Sequence, residues 1–162
     1  MSAVAVFTTD DVEGSVIVTK YRQGVHIVAE FTKIPPGKHG FHIHDAGDLR
    51  EPGCVGACSH FHIGPMKNHG DKPGSAGPRH TGDLGNISPA QMRYTYYLSG
   101  VNPEDLYGRS AIVHADEDDL GLGEFPDSHT TGHSGARIAC AIFGRGKECL
   151  VKRKVSRKIY RL

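Results

Sequence analysis

Apolar and polar residues alternate along most of this chain. In Val25-His26-Ile27-Val28-Ala29-Glu30-Phe31-Thr32, residues 25, 27, 29 and 31 are apolar and mostly polar ones lie between. Met92, Tyr94, Tyr96 and Leu98 likewise alternate with Arg93, Thr95, Tyr97 and Ser99. A period of two puts successive side chains on opposite faces of an extended backbone, so each run predicts a half-buried strand. Shorter runs predict strands at residues 3–8, 14–20, 40–44, 110–114 and 137–144. Gly, Pro, Asp and Asn punctuate the gaps, and helical periodicity is nearly absent before the last residues. Many short strands separated by turn residues predict an all-β sandwich or barrel.

Two segments break the alternation. Residues 45–82 are too long and too rich in Gly, Pro and His for a simple turn, and residues 116–135 carry acidic residues followed by His129 and His133. Long loops of this kind in a compact domain are usually functional. At 162 residues, 23% charged and 38% hydrophobic, the chain predicts one globular domain with a core of its own rather than a disordered segment. The net charge of +1 conceals an asymmetry: residues 145–162 hold eight Lys/Arg against one acidic residue, Glu148, leaving 11 basic and 17 acidic residues elsewhere. The expected division is a domain over 1–146 and a basic extension over 147–162. In the extension Val151, Val155 and Ile159 recur every four residues among Lys152, Arg153, Lys154, Arg157 and Lys158. That pattern predicts either a short amphipathic helix suited to an anionic surface or a solvated tail. No apolar run is long enough for a transmembrane segment. Met1-Ser2-Ala3-Val4 lacks the features of a signal peptide, so a cytoplasmic protein is expected, in which four cysteines do not by themselves imply disulfides.

The chemistry-bearing residues are histidines. His42 and His44 stand two apart on a predicted strand, so both imidazoles share one face and can reach one ion. Spacing alone does not join His114, on another predicted strand, to them. His60, His69 and His80-Thr81-Gly82-Asp83 fall in the first long loop. Three imidazole nitrogens and one carboxylate oxygen suit a closed tetrahedral zinc site, and a bound ion could supply the free energy that orders the loop. Four histidines without a thiolate suit Cu(II).

The segments Gly40-Phe41-His42-Ile43-His44, Gly53-Cys54, His60-Phe61, Arg79-His80-Thr81-Gly82-Asp83-Leu84-Gly85-Asn86, Val113-His114, Asp118-Asp119-Leu120-Gly121 and Gly135-Ala136-Arg137-Ile138-Ala139-Cys140 occur in that order. Together they resemble the copper/zinc superoxide dismutases over nearly the whole chain to about Gly146. The resemblance implies an eight-stranded Greek-key β-barrel of immunoglobulin-like sandwich type, with a long metal-binding loop and a second active-site loop. It implies copper bound by His42, His44, His60 and His114, and zinc bound by His60, His69, His80 and Asp83, so that His60 bridges the two ions. Asp118 would join His42 to His69, Cys54 and Cys140 would form a disulfide, and Arg137 would attract the anionic substrate. The implied reaction converts two superoxide radicals to oxygen and hydrogen peroxide by alternate reduction and reoxidation of copper, with His60 also a proton donor. The alternative is a binding protein, a dismutase-like domain of a copper chaperone or a metal buffer; it would be favoured by loss of a copper histidine or of Arg137, and all are present, which also argues against a structural zinc-only homologue.

The chain also departs from that pattern. The first loop is longer than usual between His60 and Asp83, and His62 is an extra histidine, a rival to His60 as the bridge or a solvated side chain. Asp116 and Thr130 stand where relatives often carry lysines that steer superoxide, which implies weaker salt dependence; His129 or His133 could compensate in part. Tyr107-Gly108-Arg109 matches a segment of the family's homodimer interface, although Ala46 replaces a common aromatic contact. Cys58 and Cys149 are extra, expected as free thiols or as a second disulfide. His26 is expected at the surface, and His39 on backbone hydrogen bonds. The absence of proline around Arg137-Ile138 resembles members that can mature without a copper chaperone, so a chaperone is an optional partner and not a required one.

Overall fold

The alternation at 25–31 becomes a strand whose apolar side chains are buried: Val25, Ile27, Ala29 and Phe31 all point into the core. In the computed structural model, which describes residues 1–147, nine strands form: β1 (Ser2–Thr8), β2 (Glu13–Tyr21), β3 (Gly24–Lys33), β4 (His39–His44), β5 (Asp83–Ile87), β6 (Arg93–Ser99), β7 (Ser110–His114), β8 (Arg137–Ile142) and β9 (Gly144–Arg145). They build two antiparallel sheets, ordered β6-β3-β2-β1-β9 and β5-β4-β7-β8. Ala3, Ala5, Phe7, Val16 and Val18 of the first sheet meet Phe41, Ile43, Ala111, Val113 and Ala141 of the second in one apolar cluster. Full burial of a Val, Ile or Phe side chain contributes about 1.5–3 kcal/mol, so this shared layer is what holds the sheets face to face.

Two features differ from the expectation of an eight-stranded barrel. The sheets remain separate, with no ladder closing them among the described residues. The strand predicted over 137–144 is also two strands. β8 pairs with β7 in one sheet and β9 pairs with β1 in the other. The break falls at Phe143, whose N–H donates to Arg109 O at 2.9 Å and whose carbonyl accepts from Gly108 N at 3.0 Å. Its buried ring anchors a corner where the chain changes sheets. β5 escaped the sequence pattern because it is buried on both faces and passes through Gly85 at φ +76°, so nothing in it alternates. The predicted tail helix around Val151, Val155 and Ile159, most of the 147–162 extension, and Cys149 lie outside the described residues.

Candidate metal centre

All six residues of β4 are buried, but its two faces differ in kind. Phe41 and Ile43 enter the core, whereas His42 and His44 point away from it onto the outer face of the four-stranded sheet. That face is roofed by the two long loops, of which the first connects β4 to β5 and the second β7 to β8. β4 pairs with β7 and β7 with β8, and this register brings His114 and Arg137 beside the β4 histidines. His60 joins them through an isolated bridge to His44.

The result is two clusters that share one ring. The ligating atoms of His42, His44, His60 and His114 all lie within 4.8 Å of one another, as do those of His60, His69, His80 and Asp83. The His60 ring centroid is 4.2 Å from that of His42 and 4.8 Å from that of His44. Its Nδ1 faces the other cluster, 2.8 Å from Asp83 Oδ1. His69 Nδ1 and His80 Nδ1 approach the same oxygen at 3.0 and 3.3 Å. The second carboxylate oxygen, Oδ2, accepts from the backbone N–H of Gly70 at 3.0 Å and of His80 at 2.7 Å.

Each ring is oriented by the nitrogen that does not face a cluster. His42 Nε2 and His69 Nε2 donate to the two oxygens of Asp118, at 2.6 and 2.8 Å. His44 Nδ1 donates to Cys58 O at 2.9 Å and His114 Nδ1 to Gly135 O at 3.2 Å. His44 Nε2 and His114 Nε2 are left facing each other at 3.4 Å. Outer partners of this kind fix tautomer and ring direction. Asp118 is itself held: its N–H donates to Asn86 Oδ1 at 2.7 Å, and Asn86 Nδ2 donates to Asp118 O at 2.9 Å. Nothing in the sequence pattern pointed to a role for Asn86; its place in β5, facing the second loop, supplies it.

The donor set fits metal ions. His42 Nδ1, His60 Nε2 and His69 Nδ1 are buried without a hydrogen-bond partner, and His69 Nδ1 is near Asp83 Oδ1 but without hydrogen-bond geometry. Buried polar atoms rarely go unsatisfied, and three bare nitrogens in one place call for cations. Burial holds His42, His44, His60 and His114 below the usual imidazole range, with neighbouring rings adding to the effect; His44 falls to about 2 and His114 to about 4. Neutral imidazoles are the form that binds metal. Burial also opposes charge on His69 and Asp83, but there the mutual pairing wins. His69 rises to about 9 through Asp118 and Asp83, and Asp83 falls below the usual carboxylate range through His60, His69 and His80.

The remaining predicted residues fall as follows. Cys54 and Cys140 form a disulfide that ties the first loop to β8. Arg137 is half-buried, and its guanidinium donates to Cys54 O at 2.6 Å, to Val55 O at 3.2 Å and to Cys58 O. Its charge reaches His44 and His114, where it adds to the depression of their pKa values. His62 belongs to neither cluster; Nε2 donates to Pro65 O at 2.7 Å and Nδ1 accepts from Thr81 N at 3.1 Å. His39 contacts His114 O at 2.9 Å. Cys58 is exposed and unbridged among the described residues. Asp116, His129 and Thr130 are exposed, and His133 is paired with Asp127 at 2.7 Å.

Comparison with known proteins agrees with this geometry. The family model described as copper/zinc superoxide dismutase matches residues 12–143. A Cu-Zn superoxide dismutase of Paramecium bursaria Chlorella virus 1 is 41% identical over 155 residues, covering 91% of this chain and 80% of the relative. One from Onchocerca volvulus is 38% identical, covering 90% and 96%. The extracellular Cu-Zn superoxide dismutase of Drosophila melanogaster is 39% identical, covering 82% and 76%. Among solved structures, the clock protein EA4 superposes with a TM-score of 0.74 at 36% identity, covering 88% of this chain and 93% of that one. With the family model spanning most of its length, the chain belongs to the copper/zinc superoxide dismutase family.

Proposed function

We propose that this chain dismutates superoxide to oxygen and hydrogen peroxide, with copper held by His42, His44, His60 and His114 and zinc by His60, His69, His80 and Asp83. The observation that carries the proposal is His60, whose Nδ1 faces Asp83 while Nε2 is buried, bare and next to the His42 and His44 rings. When bound, copper supplies one-electron exchange with the substrate, and zinc, which has no redox chemistry, supplies fixed charge that sets the basicity of the shared imidazole. His60 Nε2 then holds a proton whenever it is not ligating and donates it to the leaving product. Arg137 adds fixed positive charge at the mouth and draws the anion inward. Asp118 keeps Nδ1 of both His42 and His69 free for metal by accepting the hydrogen bond from Nε2–H of each, which holds the ring proton on that nitrogen.

We further infer that residues 1–146 form the catalytic domain and that its strands follow Greek-key connections, since β3 pairs with β6 and β4 with β7 across intervening strands. A homodimer through Tyr107-Gly108-Arg109 is supported by Ile142, an apolar side chain left 43% exposed next to this segment through its pairing with Ser110. A copper chaperone, in the same reading, is an optional partner and not a required one. The disulfide and an extracellular relative fit an oxidising compartment as well as a cytoplasm.

Metal analysis together with a dismutation assay after copper and zinc loading tests the function. A copper-binding or zinc-only domain would load metal without turnover. His114→Ala is expected to lose most activity and copper while zinc content stays at the wild-type level; retained activity would remove His114 from the copper set.

A further inference from the structure

Away from the two clusters, a cavity of about 360 Å³ opens between the first loop and the end of β6, lined in part by His62, Lys67, Arg79, Thr81, Tyr97 and Ser99. No carboxylate lines it, although acidic residues outnumber basic ones over residues 1–144. Arg79 is half-buried and rigidly held. Its Nε donates to Asp71 O at 3.1 Å, and its Nη2 donates to Thr81 O at 2.9 Å and to Asp83 O at 2.7 Å. Every one of these acceptors is a neutral carbonyl, Nη1 has no hydrogen bond, and Arg79 forms no ion pair among the described residues. The counter-charges that act on this half-buried cation, Asp83 and Asp71, do so through space and not by contact, and the two N–H groups of Nη1 remain available to a tetrahedral oxyanion. Lys67 lines the same cavity and has no acidic partner among the described residues. His62 forms a fixed wall, because its two nitrogens are occupied by Pro65 O and Thr81 N.

We propose that Lys67 and Arg79 bind a tetrahedral oxyanion of the phosphate type in this cavity. Arg79 offers the two free N–H groups of Nη1 and Lys67 its ammonium. The same guanidinium grips the carbonyls of Thr81 and Asp83, on either side of Gly82 and next to His80, so an occupied cavity steadies the loop that carries the second cluster. Bound oxyanion therefore slows loss of the ion from that cluster.

The test uses isotope-labelled protein loaded with both metals and kept reduced, so that amide signals near copper stay sharp. It is titrated with inorganic phosphate and, in a second arm, with glycerol 3-phosphate, at constant ionic strength set by chloride. Saturable shifts are expected at Lys67, Gly74 and Thr81, weakened roughly fivefold or more in Lys67→Gln and lost in Lys67→Glu. Dismutation in both variants should match the wild type. Response to phosphate alone identifies the free ion; response to both identifies the phosphoryl group. Phosphate should also slow zinc transfer to a chelator in the wild type and not in Lys67→Glu. Shifts confined to the surroundings of Arg137, or an unchanged titration in Lys67→Glu, would overturn the site. Arg79→Lys, which keeps the charge and loses the guanidinium that reaches the loop carbonyls and the anion together, should also weaken binding; should it fail to fold, the two Lys67 variants decide the matter.

Discussion

His44 and Arg137 share one backbone oxygen: the carbonyl of Cys58 accepts from His44 Nδ1 at 2.9 Å and from Arg137 Nη2. The same guanidinium holds Cys54 O, and Cys54 is bridged to Cys140 in β8, the strand that begins with Arg137. The tautomer of His44 and the position of the attracting charge therefore depend on one short stretch of loop. Arg137→Lys keeps the charge but cannot span three carbonyls with a single ammonium. It is expected to lower kcat/KM by roughly tenfold or more and to alter the electron paramagnetic signature of bound Cu(II). A wild-type signature together with a wild-type rate would show that charge alone matters at this position.

Gly132 ends the short helix α1 (Ser128–Thr131) at φ +70°. A Cβ there would fall 2.0 Å from Asp118 Oδ1 and 2.5 Å from His69 Nε2. Gly132→Ala therefore strains the backbone and pushes apart the hydrogen bond that orients His69. Zinc affinity is expected to fall by roughly 10–100-fold, the usual effect of disturbing an outer partner of a metal ligand. Competition with a chromophoric chelator measures it; unchanged affinity would mean that the Asp118 link has room to relax.

His42 and His44 were legible in the sequence because a period of two is a geometric rule, and their pairing on one face follows from it. His114 was not legible from spacing, since only the pairing of β4 with β7 brings it near, and register between strands 66 or more residues apart leaves no local trace. The family resemblance supplied it instead. Asn86, and the carbonyls of Cys58 and Gly135, went unseen for a different reason: they act through position in the fold, and a backbone oxygen has no residue type to read. The split at Phe143 was hidden because its two halves continue one alternating run, although they belong to different sheets.

Salt should affect the rate less than in lysine-bearing relatives. Asp116 and Thr130, where such lysines would stand, are exposed and contribute no positive charge, and His133 is offset by Asp127 at 2.7 Å. Arg137 remains as the local attractor, and it acts at short range where screening is weak. In rate measurements from low to high ionic strength, kcat/KM of the wild type is expected to fall less steeply than that of an Asp116→Lys/Thr130→Lys variant. Equal slopes for the two proteins would sink the idea.

The metal-free protein should be most stable near neutral pH. Burial, reinforced by His60, keeps His44 and His114 neutral in the fold down to about 2 and about 4. In the unfolded chain the same imidazoles take protons near pH 6.5. Between about pH 6.5 and 4 the unfolded state therefore binds more protons, and each of the two costs about 1.4 kcal/mol of stability per pH unit as the solution is acidified. His69 works in the opposite direction. Burial lowers its pKa, but Asp118 and Asp83 outweigh burial and raise it to about 9. Its contribution is fully present below about pH 6.5 and is lost as pH rises through about 9. Stability should thus fall on both sides of a maximum, more steeply on the acid side, where His42 and His60, also held below the usual range by burial, act together with His44 and His114. Denaturant melts of metal-free protein from pH 5 to pH 9 measure the profile. His69→Asn should flatten its alkaline limb and leave the acid limb in place, whereas a profile level across the whole range would contradict the buried, neutral state assigned to His44 and His114.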